Sequence, residues 1–272
     1  MMGTLLLACL LGYAALVEPA MLFHRRFSIR LRGLPGGWDG ARIHLVTDLH
    51  CNRWTSMESR IARILGEQAD LLLFAGDIVN TTRATGHIAR LVQAANVSLG
   101  AFGVLGNAEH KRWVDTARVV LDLESAGVRM LGNEWLQITR SGDALALIGV
   151  DDPYSGRADL AAALGDCPSG CRLLLAHAPQ VLKDPAVSEV DLVLCGHTHG
   201  GQVRLPWLGG LLAHSLFEWR WAEGHFYPEQ VRRVLGYRRA PHVYVSRGVG
   251  TGFIHFRCLC PPEVQTITLR KA

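Results

Sequence analysis

Five apolar runs in this chain each end on side chains that commonly bind metal ions. These side chains are Asp48 and His50, Asp77, Asn107, His177, and the pair His197 and His199. The carboxyl ends of parallel strands in an open α/β sheet meet at one crevice, so residues that are remote in sequence can meet there. One strand that ends in aspartate carries little information. Five strand ends that all carry aspartate, asparagine or histidine favour a sheet built around a metal site.

Helical patterns separate these apolar runs. Strand-like runs occupy 41–48, 70–77 and 101–107, and apolar residues recur at helical spacing over 57–69, 84–96 and 113–127. Three further strand-like runs then follow one another with only turns between them, and the chain has no internal repeat. The pattern predicts a mixed α/β domain with sheets at the centre and helices outside.

The amino-terminal segment differs from the rest of the chain. Residues 1–17 carry no charge, and the apolar character resumes after Glu18 and Pro19. Because a bilayer span needs about 20 apolar residues, the segment 1–26 is predicted to be a membrane-anchor helix that either crosses the bilayer or lies along it. Residues 27–272 then form a single folded domain. The alternative is a helix buried against that domain.

Arginine and cysteine usage both predict the cytoplasmic face of the membrane. Arginines at 25, 26, 30 and 32 all follow the apolar segment, which by the positive-inside tendency keeps the next domain in the cytoplasm. The seven cysteines show no framework spacing, as is typical of a reducing compartment. We therefore expect a peripheral or single-pass protein.

The charge balance is mildly basic. A net charge of +4 suits an anionic substrate or an acidic membrane surface. No lysine-rich block occurs in the sequence, so no nucleic-acid partner is predicted.

The seven candidate ligands are too many for one ion and suit two ions that share a carboxylate. A mixture of aspartate, asparagine and neutral histidine favours Mn²⁺, Zn²⁺ or Fe²⁺ over Mg²⁺ and Ca²⁺. Two such ions about 3.5–4 Å apart can clamp a phosphoryl oxygen and activate water for in-line attack at phosphorus. Taken alone, His197 and His199 could equally be surface histidines in a turn.

The motifs DLH, GD, GN, a lone histidine and GHTH, in that order, resemble the calcineurin-like metallophosphoesterase superfamily. The resemblance runs from about residue 42 to the carboxyl end. The stretches 149–153, 196–206 and 246–252 look like its bacterial membrane-associated branch. The resemblance implies a four-layer α/β/β/α sandwich with two central mixed sheets, here preceded by the hydrophobic helix.

The resemblance also implies how the ligands divide between two divalent ions, of which Mn²⁺ is the expected metal. It assigns one ion to Asp48, His50 and His199, the other to Asn107, His177 and His197, and the bridging position to Asp77.

One position departs from the pattern of the superfamily. In the stretch GNAEH, Ala108 replaces the histidine that usually helps the leaving group depart, Glu109 keeps the acid, and His110 comes two places late. We count Asp77, Asn107, Glu109 and His110 as candidate catalytic residues. His110 could take over the missing role, the protein could be inactive, or the reaction could need no acid.

The third account favours cleavage of a phosphoanhydride, because a phosphate or nucleotide departs as a stable anion without protonation. Together with the apolar amino-terminal segment, this account predicts a lipid-linked substrate such as UDP-2,3-diacylglucosamine of lipid A synthesis. Within the superfamily, the sequence is similar to the enzymes that hydrolyse this lipid. A general phosphodiesterase or phosphatase for soluble esters and an inactive metal-binding scaffold are the alternatives.

Four further residues are candidate substrate contacts. Arg204 and Arg247 could bind phosphate through paired donors, and Trp219 and Trp221 could line an acyl groove or dip into the membrane interface. Structural roles for the arginines and core packing for the tryptophans are the alternatives.

Overall fold

The computed structural model describes residues 2–205, 207, 209–211, 215–252 and 254–272. Its strands, in chain order, are β1 (Phe23–Leu31), β2 (Arg42–Val46), β3 (Leu71–Ala75), β4 (Ala101–Val104), β5 (Val128–Met130), β6 (Glu134–Arg140), β7 (Asp143–Gly149), β8 (Arg172–Leu175), β9 (Leu192–Cys195), β10 (Arg204–Leu205), β11 (Gly209–Gly210), β12 (Gly224–Phe226), β13 (His242–Val245) and β14 (Glu263–Lys271). Its α-helices are α1 (Met2–Gly12), α2 (Ser56–Leu65), α3 (Thr85–Ala94), α4 (Thr116–Ser125), α5 (Leu160–Leu164), α6 (Leu216–Arg220) and α7 (Pro228–Leu235).

Two six-stranded sheets form the centre of the molecule. The first has the order β1-β14-β2-β3-β4-β5, and the second has the order β12-β13-β9-β8-β7-β6. Strands β2 to β5 run parallel, whereas β14 is antiparallel to β2 and parallel to β1. In the second sheet β7, β8, β9 and β13 run parallel, and β6 and β12 are antiparallel edge strands. Both sheets are therefore mixed, as predicted.

Alternation along the strands places one apolar face of each sheet against the other sheet. Ile43 and Leu45 of β2 and Leu173 and Leu175 of β8 are fully buried in the core between the sheets. The opposite face of the first sheet packs against α2, α3 and α4, and that of the second packs against α5 and α7. The result is the predicted α/β/β/α sandwich.

The helices begin where the sequence supplies a cap. The Thr55 side chain accepts a hydrogen bond from Met57, and Glu58 accepts one from the Thr55 amide at 2.7 Å, so a capping box starts α2. Ile61 and Leu65 then lie on the buried face of the helix. This short helix connects β2 to β3 and brings the ends of both strands to the same edge of the sheet.

The amino-terminal helix lies largely outside the sandwich. Helix α1 continues as a π-helical turn over Tyr13–Val17 and a 3₁₀ turn over Glu18–Ala20. The stretch Gly3–Ala20 is long and apolar enough to cross a membrane by length and composition, with a mean hydropathy of 1.6. Leu5, Leu10 and Leu16 are more than half exposed. Strand β1 begins at Phe23, and the division at residue 26 stays a prediction.

Candidate metal centre

All seven predicted ligands lie at one edge of the sandwich. They follow the carboxyl ends of β2, β3 and β4 in the first sheet and of β8 and β9 in the second. Asp48, Asp77 and His177 are at least 98% buried, and ligand atoms from these three residues lie within 4.8 Å of one another. The convergence follows from parallel strands that end side by side at this edge.

Asp77 stands between two histidines. Its Oδ2 lies 3.3 Å from His50 Nε2, and its Oδ1 lies 3.4 Å from His177 Nε2. Each oxygen of one carboxylate therefore faces a different imidazole, an arrangement that suits a carboxylate shared by two ions.

The remaining ligands form two groups on either side of Asp77. On one side His199 Nε2 lies 3.3 Å from His50 Nε2 and 3.7 Å from Asp48 Oδ1. On the other, His177 Nε2 lies 3.2 Å from Asn107 Oδ1 and 3.1 Å from His197 Nδ1. The two groups contain the same residues as the two predicted ligand sets. The assignment of each residue to an ion stays a prediction.

Five of these residues have a left-handed backbone, which is uncommon outside glycine. Asp48, His50, Asp77, His197 and His199 have φ values between 48° and 70°. Such conformations cost about 1–3 kcal/mol each and persist where the surrounding structure fixes them, often at functional sites. Here they turn the side chains back toward one point.

Glycine precedes several ligands because their side chains come close to the backbone. A Cβ at Gly196 would lie 2.3 Å from Asp48 Oδ2, and one at Gly106 would lie 2.4 Å from Asp77 Oδ1. The glycines of the GH and GN motifs are therefore required by the packing of carboxylates against neighbouring loops.

Hydrogen bonds outside the cluster orient the imidazole rings. His50 Nδ1 lies 2.9 Å from Asn80 Oδ1, and His177 Nδ1 lies 2.9 Å from the Ala75 carbonyl oxygen. These acceptors fix the proton on Nδ1 and leave the Nε2 lone pair directed at the cluster, as in many metal sites. Asn80 was missed by the sequence analysis, although it comes only three residues after Asp77.

The shifted pKa values of the clustered carboxylates and histidines indicate a site that is stabilised by positive charge. Burial lowers the pKa of His177, but attraction to Asp77 and Asp48 outweighs burial and raises it to about 9. Burial, with the nearby Asp77, raises the pKa of Asp48, while burial and His50 hold the pKa of His199 well below its usual range. Buried carboxylates and imidazole nitrogens about 3 Å apart are stabilised by cations between them. The donor set therefore fits divalent metal ions.

The candidate catalytic residues after Asn107 lie around the cluster in different ways. Glu109 is fully buried and accepts hydrogen bonds from the amides of Asp77, Val79 and Gly106 at 2.8–3.0 Å. Burial and the charge of Asp77 raise the pKa of Glu109 to about 7. These contacts support a positioning role, because Glu109 holds the loop that carries Asp77.

Ala108 and His110 supply no imidazole at the usual place. Ala108 is fully buried, and its amide donates to Asp77 Oδ1 at 2.6 Å. His110 Nε2 lies 2.7 Å from Asp151 Oδ1. A catalytic role for His110 stays a prediction, and in this structure its ring pairs with Asp151.

The two candidate arginines share one acidic partner. Glu223 forms ion pairs with Arg204 at 3.1 Å and with Arg247. Arg204 also donates to the Gly200 carbonyl at 3.0 Å. These contacts tie the loop after His199 to the loop before β14, so both arginines support the metal-binding loop, and phosphate binding by them stays a prediction.

The two candidate tryptophans differ in exposure. Trp221 is 1% exposed and packs against Phe217 and Phe226 in the core of the second sheet. Trp219 is 45% exposed. Only Trp219 is therefore placed to meet a substrate or a membrane.

A cavity of about 310 Å³ opens over the cluster. Besides several ligands it is lined by Lys111, Trp113, Thr251 and Gly252. The sequence analysis missed Lys111 and Trp113, although a basic and an aromatic residue directly after the GN motif could have drawn attention to them. Lys111 contributes a cationic side chain to the wall of this cavity.

Comparison with known proteins agrees with the geometry. The phosphodiesterase YaeI of Escherichia coli is 30% identical over 277 residues, covering 95% of this chain and 92% of that protein. The uncharacterized metallophosphoesterase YkuE of Bacillus subtilis is 27% identical, with coverage of 95% and 89%. The UDP-2,3-diacylglucosamine pyrophosphatase LpxG of Chlamydia muridarum is 24% identical, with coverage of 91% and 89%.

A family model for calcineurin-like phosphoesterases matches residues 41–201, from the residue before β2 to the two glycines that follow His199. The match spans all five strand ends that carry the candidate metal-binding side chains. The chain therefore belongs to the calcineurin-like phosphoesterase family and is a metal-dependent hydrolase of phosphoric esters.

Proposed function

We propose that this protein cleaves the pyrophosphate bond of a lipid-linked nucleotide sugar, such as UDP-2,3-diacylglucosamine, at the cytoplasmic surface of a membrane. The observation that carries the proposal is Ala108, which is fully buried beside Asn107 and Asp77. Since Ala108 cannot donate a proton where the superfamily usually has a histidine, a leaving group that departs as a stable anion without protonation suits this site best. A nucleoside monophosphate released from a pyrophosphate meets that condition.

The metal centre would be held by Asp48, His50 and His199 on one side, by Asn107, His177 and His197 on the other, and by Asp77 between them. When bound, two divalent ions supply an activated nucleophile and neutralise charge that develops on the phosphoryl oxygens. The native metal is proposed to be Mn²⁺, in keeping with the mixed oxygen and nitrogen donors.

The residues of the chain contribute orientation and charge. Glu109 holds the amides of Asp77 and Gly106, and Asn80 orients the His50 ring. Lys111 lines the cavity and is placed to attract the second phosphate of a pyrophosphate. Fixed groups of this kind stabilise developing charge without reorganisation during the reaction.

Two features support a membrane-borne substrate. The apolar Gly3–Ala20 segment leaves most of its leucines exposed, and arginines follow it in β1. The relative LpxG is named a UDP-2,3-diacylglucosamine pyrophosphatase, and its similarity to this protein extends over 91% of this chain.

The test is hydrolysis of UDP-2,3-diacylglucosamine by the purified full chain with Mn²⁺, measured as UMP release. Protein carrying Asp77→Asn, prepared in parallel, controls for contaminating hydrolases. Absence of UMP together with rapid turnover of bis-p-nitrophenyl phosphate would refute the lipid pyrophosphate and favour a general phosphodiesterase. That second candidate is supported by the resemblance to YaeI, which is named a phosphodiesterase.

A third reading is a scaffold that binds metal without turnover. Two bound ions per chain with no hydrolysis of any ester or anhydride would establish it.

A further inference from the structure

A second cavity connects the metal centre to the amino-terminal helix. It has a volume of about 460 Å³, within the range of small-molecule sites. His50 and Asn80 line one end, and Thr251 and Gly252 line both this cavity and the smaller one over the cluster. Leu16, Pro19 and Ala20 line the other end. The cavity therefore runs from a metal ligand to the end of the apolar helix.

The walls between the two ends are mixed in character. Arg53, Thr55 and Ser56 offer polar groups, and Leu49, Met57 and Val249 offer apolar ones. A purely apolar ligand would leave the polar groups of the wall without hydrogen-bond partners, and a purely polar ligand would make no favourable contact with the apolar side chains. The lining suits a molecule whose polar head adjoins an alkyl chain.

The helix end is fixed to the rest of the site. The Glu18 carboxylate is 98% buried and accepts hydrogen bonds from the amides of Leu259 and Cys260. The Ala14 carbonyl oxygen accepts a hydrogen bond from the Arg257 amide at 2.9 Å. Arg60 donates to the carbonyl oxygens of Ala20 and Leu22. The helix is thus a wall of the cavity and not merely a tether.

The buried Arg257 links this attachment to the loop beside the metal ligands. Its guanidinium donates to the carbonyl oxygens of Arg247, Gly248 and Gly250. Gly250 lines the cavity, and its amide donates to the Asp48 carbonyl oxygen at 2.6 Å. One set of contacts therefore fixes both the helix and the loop that borders the cluster.

Sheet topology places the helix at the metal edge of the molecule. Strand β1 runs antiparallel to β2, since β14 is parallel to β1 and antiparallel to β2. Phe23, the first residue of β1, consequently lies at the edge where β2 ends and Asp48 follows. An apolar helix that enters a bilayer at this edge brings the lipid phase to the far end of the cavity.

We propose that this cavity binds the alkyl half of an amphiphilic phosphate ester, which enters from the bilayer beside Leu16, Pro19 and Ala20 with its phosphate toward His50. The proposal rests on the membrane-borne substrate proposed above and assigns the alkyl chain of that substrate to this cavity. It also replaces Trp221, which is buried in the core, as part of the acyl-binding wall, and Trp219, which is 45% exposed, is the alternative that the labelling experiment below tests.

The test is photolabelling of the full Mn²⁺-loaded chain in phosphatidylcholine nanodiscs. The probe is methyl dodecyl phosphate with a diazirine on the last chain carbon, and adducts are mapped by mass spectrometry. We expect adducts on residues 16–20 and also within 53–57, where Arg53, Thr55, Ser56 and Met57 line the same cavity. The same alkyl chain without phosphate is expected to label the exposed leucines of the helix and to leave 53–57 unlabelled.

Matched tryptophan substitutions on the same helix separate the cavity from general contact with lipid. Ala20→Trp fills the helix end of the cavity and is expected to lower labelling of 53–57 by about tenfold, equivalent to about 1.4 kcal/mol of binding free energy. Leu5→Trp adds the same ring at a position that is 68% exposed, outside the cavity, and is expected to leave that labelling unchanged. Equal labelling of both variants would overturn the proposal.

Wild-type labelling that is absent from 53–57 or centred on Trp219 would overturn it as well, without reliance on any variant. Labelling does not require cleavage, so the outcome is independent of UMP release. A chain that hydrolyses the UDP lipid but is labelled elsewhere keeps the proposed function and loses this site. A chain labelled as expected that releases no UMP keeps the site and loses the proposed substrate.

Discussion

Substitution of Gly196 by alanine tests whether close backbone packing holds the metal centre together. The new Cβ would lie 2.3 Å from Asp48 Oδ2 and 2.5 Å from Thr47 Oγ1. Ordinary contact begins near 3.4 Å, so the Asp48 carboxylate or the loop must move by about 1 Å. Metal–ligand distances tolerate only about 0.2 Å, so Asp48 would no longer be an effective ligand.

The expected losses follow from that displacement. Overpacking of this kind costs about 1–3 kcal/mol of unfolding free energy, which is best measured in EDTA so that metal binding does not contribute. Misplacement of a reacting group by about 1 Å costs roughly 100-fold in rate. We therefore expect kcat/KM for bis-p-nitrophenyl phosphate to fall about 100-fold, with weaker binding of Mn²⁺ measured by calorimetry.

Gly86→Ala is the matched control. A Cβ there meets nothing within 4 Å, and Gly86 lies in helix α3, where alanine is favoured by about 0.5–1 kcal/mol. This variant should keep its activity and gain slight stability. Gly196→Ala protein with wild-type Mn²⁺ affinity and kcat/KM would refute the steric reasoning, because Gly196 contributes no side chain to the chemistry.

Three further predictions concern the cluster, the core and the effect of pH. Asp77→Asn removes the shared carboxylate, so metal analysis should find no more than one ion per chain and activity should fall at least about 1,000-fold; two tightly held ions would contradict this. Trp221→Ala should lower the unfolding free energy by about 3–5 kcal/mol, and Trp219→Ala by less than about 1 kcal/mol, as followed by denaturant unfolding. Burial and the nearby His242 lower the pKa of His225 to about 4. Because the unfolded histidine takes up a proton first, near pH 6.5, stability should be full above that pH and decline toward pH 4. His225→Gln should flatten this part of the profile in thermal melts, and an unchanged profile would exclude the histidine as its cause.

The sequence predicted much of the fold because the relevant signals are local. Apolar runs and helical spacing identified most of the strands and helices of the sandwich, with ends that differ by a few residues. For example, the predicted helix at 57–69 is observed as Ser56–Leu65. The glycines of the GD, GN and GH motifs also mark positions where the structure has little room.

Long-range contacts were not predictable in the same way. The buried Glu18 accepts hydrogen bonds from residues 241 and 242 positions later in the chain, and nothing near it in sequence indicates that partner. Trp221 and Trp219 are two residues apart in an aromatic segment, but Trp221 packs against Phe217 and Phe226 whereas Trp219 is 45% exposed, and nothing in the local sequence indicates this difference. Glu109 belongs to a recognisable motif, yet its three amide donors come from two separate loops.

The position of β14 has a consequence for how this protein is made. This strand lies between β1 and β2, so the first sheet stays divided until residues 263–271 have left the ribosome. Closure of so long a loop is entropically costly and slow compared with the pairing of neighbouring strands. If the apolar helix anchors the protein in a membrane, as we propose, it can meet the translocation machinery while the sheet is still open. In that case, membrane targeting of the nascent chain would precede assembly of the active centre, which is complete only once β14 has joined the first sheet.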